Sequence, residues 1–194
     1  MKKYTIFAGC NGTGKTTLYQ TNPSFKEIPR INMDEIVREF GSWKNQEDSI
    51  KAGKIAVYKI KKYFSEGTSF LQETTLCGNS ILNNIKKAKI QGYSIIVYYV
   101  GVSSVEIAKE RVKWRVEHGG HGIPESDIER RYIESFEKLK IILPLCDVLE
   151  LYDNSEHFVR TARIENSVCV DKMIKCPLWV EELLNSTNII FLSS

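Results

Sequence analysis

Short runs of apolar residues recur along the chain, separated by stretches whose apolar positions fall three and four apart. Five runs read as strands: Tyr4 to Ala8, Pro29 to Asn32, Phe70 to Glu73, Ser94 to Gly101 and Asp147 to Tyr152. None alternates cleanly, which is the pattern of strands covered on both faces in a parallel sheet. Between them lie helical stripes. Lys15 to Gln20 is a short helix stopped by Asn22-Pro23, Ser49 to Phe64 carries Ala52, Ala56, Ile60 and Tyr63, and Ser80 to Gln91 carries Ile81, Ile85 and Ala88. Val105, Ala108, Val112 and Val116 form another stripe, and Ile128, Tyr132, Phe136, Leu139 and Leu143 form the cleanest, opened by Pro124 and closed by Pro144.

Strands alternating with helices predict an α/β fold, a doubly wound parallel sheet of about five strands with helices on both faces. No repeat or linker divides the 194 residues, so the expectation is one domain over 1–194. Beyond Asp153 the pattern weakens to a strand at Val168 to Val170 and a short helix at Pro177 to Leu184.

Composition excludes several classes. Apolar residues are 42% and charged residues 26%, usual for a globular chain and unlike a disordered or fibrous one. With 27 Lys+Arg against 24 Asp+Glu, the formal charge of +3 is too small to be a footprint for nucleic acid. The five cysteines are odd in number, widely spaced and without a C-x-x-C pair, which fits a reduced cytoplasm. Phe7-Ala8-Gly9-Cys10 faintly resembles a lipoprotein signal, but Tyr4 to Ala8 falls short of the roughly 7–15 apolar residues an export signal needs. No run approaches the ~20 residues of a membrane span. The expectation is a cytoplasmic protein with no membrane partner.

The strongest chemical signal is Gly9-Cys10-Asn11-Gly12-Thr13-Gly14-Lys15-Thr16-Thr17, which matches G-x-x-x-x-G-K-[ST] between a strand and a helix. Glycines let the backbone curl until its N–H groups converge on one phosphate, and the following helix start favours negative charge. Lys15 is then placed for the β/γ-phosphates of ATP and the Thr16 hydroxyl for Mg²⁺.

In a parallel sheet, ligands lie beyond the carboxyl ends of the strands. Asn32-Met33-Asp34 closes the second strand and Glu73-Thr74-Thr75 the third. A carboxylate there can take a proton from a substrate hydroxyl or hold Mg²⁺ through water. Asp34 is the candidate base, with a helix N-cap for Glu35 to Phe40 as the structural alternative; Glu73 and Thr74 are candidate substrate contacts. No other apolar strand ends in a Walker B aspartate.

A third constellation spans Arg111 to Pro124 and continues to Arg130-Arg131. Arg111 and Arg115 share one helical face, and a glycine-rich bend separates them from Arg131. Two helices joined in this way predict a hinged lid at about 109–131 whose guanidinium groups reach a transferring phosphoryl group, against the alternative of solvated basic faces. His118 and His121, without cysteine partners, read as polar loop residues rather than metal ligands.

A-G-x-N-G-x-G-K-T-T at 8–17, N-x-D at 32–34, E-T-T-L at 73–76, R-V-x-x-R-x-x-x-G-G-H-x-I-P at 111–124 and I-x-R-R-Y at 128–132 together resemble the zeta toxin family, in a shorter branch. The resemblance covers residues from about 4 to 152. It implies a P-loop kinase that moves the γ-phosphate of ATP, with Mg²⁺, to a hydroxyl of a small molecule, as some members do to the sugar of UDP-N-acetylglucosamine. It further implies Lys15 and Thr16 at ATP and Mg²⁺, Asp34 as base, Glu73 at the acceptor hydroxyl, arginines from the Arg111 and Arg131 regions, and an antitoxin protein as partner. Two alternatives stand beside it: a nucleoside or polynucleotide-end kinase, and a nucleotide-binding regulatory module that transfers nothing.

Overall fold

The computed structural model describes residues 1–191. Eight strands form one sheet: β1 (Lys3–Ala8), β2 (Arg30–Ile31), β3 (Phe70–Thr74), β4 (Ser94–Gly101), β5 (Val148–Asp153), β6 (Val159–Glu165), β7 (Val168–Lys172) and β8 (Ile190–Phe191). Their order is β2-β3-β1-β4-β5-β6-β7-β8. The first five are parallel, β6 and β7 continue antiparallel, and β8 runs parallel to β7. The parallel five match the expected strands; the expectation of about five in all is corrected to eight. Strands β6 and β8 were not expected; β6 reads V-R-T-A-R-I-E, and its charged residues are neutralised by partners on β5, on β7 and on β6 itself. Arg163 pairs with Glu150 and Glu165, and Arg160 with Asp171. Asn166 and Ser167, both at positive φ (48° and 65°), make the two-residue turn into β7.

The helices are α1 (Lys15–Thr21), α2 (Met33–Arg38), α3 (Gln46–Glu66), α4 (Ser80–Ile90), α5 (Val105–Glu117), α6 (Glu125–Ile142) and α7 (Leu178–Asn185). Alternate strand residues feed two cores. Tyr4, Ile6 and Ala8 of β1, with Ile95, Val97 and Tyr99 of β4, meet the apolar faces of α3, α4, α6 and α7. Phe7 and Val100 point the other way, against Leu18 of α1 and Phe25 of a 3-10 turn. Helices therefore lie on both faces, unequally. The carboxyl edge holds a third cluster, in which Cys10, Val102, Ala108, Val112 and Ile128 anchor α5 and α6 beside the β1 loop. None of the described helices is long and apolar enough to cross a membrane.

The β1–β3 register, Ala8 opposite Thr74, sets the glycine-rich loop beside the end of β3. Strand β2 is shortened to two residues, and Asn32 directly caps α2, so its end also opens onto that edge.

Candidate active site

The loop after β1 is fixed by close approaches that exclude side chains. A Cβ on Gly12 would stand 2.6 Å from the Ala108 carbonyl oxygen of α5, and Gly12 has φ +82°. Gly14, at φ +101°, caps α1 without a side-chain bond, and a Cβ there would meet the Asn154 amide at 2.4 Å. Substitution at either position is strained by backbone and by space together. With no side chain capping α1, its first N–H groups stay available to an anion. Asn154, past the end of β5, donates to the Thr13 carbonyl at 2.9 Å and closes the loop from the far side.

Lys15 is 8% exposed, and its Nζ donates to the carbonyls of Gly9 and Cys10, each at 2.8 Å. Burial pushes its pKa down; Glu73 and Asp34 oppose that shift. The ammonium is thus folded over its own loop and stabilised by carboxylates across the cleft. The Thr13 side chain turns inward, donating to the Cys10 carbonyl at 3.0 Å, so Thr13 shapes the loop and does not line the cleft. Asn11, Gly12, Gly14, Lys15, Thr16 and Thr17 do line it.

Glu73 is the hub of the next layer. Its carboxylate accepts from Arg30 at 2.5 Å, Asn32 at 2.7 Å and the Thr16 hydroxyl at 3.2 Å. Arg30 is itself stacked on Tyr19, 3.7 Å from the ring centre. Thr74 reaches the cleft but its hydroxyl accepts from the Leu76 N–H at 3.0 Å, turning the chain out of β3.

The structure gives the cap of α2 to Asn32, whose side chain accepts from the N–H groups of Asp34 (2.8 Å) and Glu35 (3.3 Å). The N-cap alternative for Asp34 is therefore corrected: Asx chemistry two residues earlier already satisfies those donors. Among the described residues the Asp34 carboxylate has no hydrogen bond or ion pair, and it lines the cleft half-buried.

Arg111, Arg115 and Arg131 converge on the same cleft, of about 720 Å³. Arg131 donates to Asn11 of the loop at 3.2 Å, and Arg111 to the Ser155 carbonyl at 3.1 Å. Among the described residues, Arg111 Nη1 and two nitrogens of Arg115 are buried without a partner, donors that an anion would satisfy. Arg130 points away and is paired with Asp127 and Glu134. Sequence reasoning also left out Trp43, Trp114 and Asn154. His121, read as a loop residue, stacks on Trp43 at 4.6 Å between ring centres. Burial pushes His121 down, with Asp34 opposing. Only Asn154, just past a strand end, carried a positional signal.

Magnesium keeps most of its waters and binds through one or two protein oxygens plus phosphate. The Thr16 hydroxyl beside the Glu73 carboxylate fits that donor set, and among the described residues no cluster of three His, Cys, Asp or Glu side chains forms a dedicated cage.

No protein-family model matches the chain. A Haemophilus influenzae (strain Rd) protein described as uncharacterized is 35% identical over 130 residues, 67% of this chain and 92% of its own. The crystal structure of AvrRxo1-ORF1:-ORF2 with ATP aligns with a TM-score of 0.73 at 13% identity, over all of this chain and 66% of that one. The PezAT chromosomal toxin–antitoxin system of Streptococcus pneumoniae aligns at 0.58 with 18% identity, over 82% of this chain and 70% of that one. The chain thus spans 66% and 70% of these two solved chains.

Proposed function

We propose that this chain, which belongs to one family with the Haemophilus influenzae protein and shares its fold with the AvrRxo1 and PezAT structures, is a zeta toxin-like P-loop kinase that transfers the γ-phosphate of ATP to a hydroxyl of a small molecule. One observation carries the reading. A single cleft gathers Lys15, the Thr16–Glu73 pair, the unpaired Asp34 carboxylate and three arginines. A regulatory nucleotide-binding module has no use for an unpaired carboxylate facing the phosphate loop.

Each residue has a task in the transfer. Lys15 exchanges the Gly9 and Cys10 carbonyls for phosphate oxygens, a move its hydrogen bonds allow without displacing the backbone. Thr16 and Glu73 would hold Mg²⁺, which supplies positive charge to the phosphate oxygens when bound. Asp34 accepts the acceptor proton as the acceptor oxygen bonds to phosphorus and the bond to the β–γ bridging oxygen breaks. Arg111, Arg115 and Arg131 meet the charge that spreads over the transferring group. Residues 109–131 close over the cleft as a lid, which completes this set and excludes water.

The acceptor we favour is a nucleotide sugar such as UDP-N-acetylglucosamine, and the partner an antitoxin protein, as in PezAT; the sequence motifs support both. The test is incubation with labelled ATP and Mg²⁺ and a panel of UDP-sugars, nucleosides and 5′-hydroxyl oligonucleotides, with Lys15→Ala as the blank. Transfer to a UDP-sugar that Lys15→Ala abolishes supports the reading. Transfer only to nucleosides or oligonucleotides refutes the acceptor, and absence of ATP binding refutes the whole.

A further inference from the structure

A second cavity, of about 160 Å³, lies behind the phosphate loop between β4, α6 and α7. Cys10 and Thr13 form its wall on the loop side, and the aromatic rings of Tyr99, Tyr132, Phe136 and Trp179 form most of the remainder. The polar tips of three rings are already used. Tyr99 shares a hydrogen bond with Ser135 at 3.2 Å, Tyr132 donates to the Val102 carbonyl at 2.9 Å, and Trp179 donates to Asp153 at 2.8 Å. What these rings have left for an occupant is π surface, which attracts apolar groups and cations.

The remaining lining residues set the charge. Glu137 and Glu182 stand at the cavity, and one ammonium, Lys140, bridges them at 2.9 and 3.1 Å while lying 4.5 Å from the Phe136 ring centre. Two carboxylates against one ammonium leave an excess negative charge, and the buried Asp153 carboxylate behind Trp179 adds to it. Lys140 shows which chemistry this rim accepts: an ammonium held by carboxylates over an aromatic ring. An apolar cavity of about 150 Å³ holds one benzene, so the space suits a compact organic cation.

We propose that this cavity is a binding site for a small alkylammonium or quaternary ammonium ion, and that its occupancy tightens nucleotide binding. The coupling follows from position. Cys10 and Thr13 are residues of the loop whose other side faces the phosphates, and Thr13 holds the loop shape through the Cys10 carbonyl. An occupant packed behind them braces the cradle in the conformation described above. Reciprocity then requires ATP to tighten the cation's binding by the same factor. Nothing in this depends on what the enzyme phosphorylates.

The experiment uses the full chain, with choline chloride against its neutral isostere 3,3-dimethylbutan-1-ol at matched ionic strength, followed by calorimetry with and without ATP. Choline is expected to bind saturably and at least about tenfold tighter than the isostere. The Glu137→Gln/Glu182→Gln double variant changes side chains 58% and 61% exposed, so the fold is retained. It should weaken choline by at least about tenfold and leave the isostere unchanged. Phe136→Leu should weaken choline in the same way. Choline should also lower the Kd for ATP. Equal binding of choline and isostere, no saturable choline binding, or unaltered binding in the double variant overturns the cation site. Binding without effect on ATP affinity overturns the coupling.

Discussion

Replacing Glu73 by glutamine separates charge from shape at the centre of the cleft. The carboxylate side chain is 11% exposed and Arg30 only 6%. A glutamine oxygen can keep accepting from Arg30 and Asn32, while its amide N–H donates to the Thr16 hydroxyl, so all three contacts survive in kind. The charge is what disappears. Removing one partner of a buried pair costs about 3–5 kcal/mol. Arg30 keeps the half-exposed Glu35 at 2.5 Å and the Tyr19 ring, which halves that cost to roughly 2 kcal/mol. At this chain length the loss lowers Tm by about 4–8 °C. Glu73→Ala, which strips all three contacts, should cost about twice as much. Function should respond separately. Glu73→Gln keeps ATP binding without Mg²⁺ and loses the enhancement that Mg²⁺ confers, because the Thr16 hydroxyl is engaged by a donor and the negative charge is gone. Differential scanning fluorimetry gives the first quantity and calorimetry with and without Mg²⁺ the second. A Glu73→Gln protein that melts within a degree of the parent and keeps its Mg²⁺ response would refute the argument at both levels.

Asp34→Asn should lower kcat by about 10²–10⁴ with ATP affinity and Tm nearly unchanged, whereas Asn32→Ala, which removes the α2 cap, should cost about 1 kcal/mol of stability plus its contact with Glu73; turnover and melting curves of the pair separate base from cap. Arg131→Ala should lower kcat by about 10³-fold, while Arg130→Ala, paired outward, changes turnover little; equal effects of the two would place the guanidinium requirement elsewhere. His121 is held below its ordinary value of 6.5 by burial. The unfolded chain therefore binds the extra proton first, and stability falls as pH drops through 6.5 towards the folded value. His121→Gln should flatten the acid side of a Tm–pH profile; an unchanged profile would mean that His121 stays solvated.

The parallel half of the sheet and its phosphate loop were legible in the chain because their determinants are local. Glycine spacing, a lysine–threonine pair and apolar runs covered on both sides each act within a few residues. Strand β6 was not legible. Its V-R-T-A-R-I-E pattern puts charge where a buried strand has none, and only Glu150 and Asp171 on neighbouring strands make that tolerable. Asp34 could be named from its place after β2, but whether it capped α2 or faced the cleft depended on Asn32, whose competing oxygen reaches the same N–H groups first. Arg130 and Arg131, adjacent in sequence, differ by one helical step of about 100°; both stand within ion-pair distance of Asp127, but Arg130 turns out to Glu134 while Arg131 reaches in to Asn11.

The sequence by itself determined the curl of the loop after β1, since its backbone geometry follows from where its glycines fall. Which side chains surround that loop was decided only by tertiary structure. Lys15, Glu73, Arg111, Arg131 and Asn154 are far apart along the chain, and the parallel crossovers of β1, β3, β4 and β5 bring their carboxyl ends to one edge. Spacing along a sequence fixes a turn or a helical face; which carboxylate stands opposite which cation depends on strand order, and that is settled by burying two apolar faces at once.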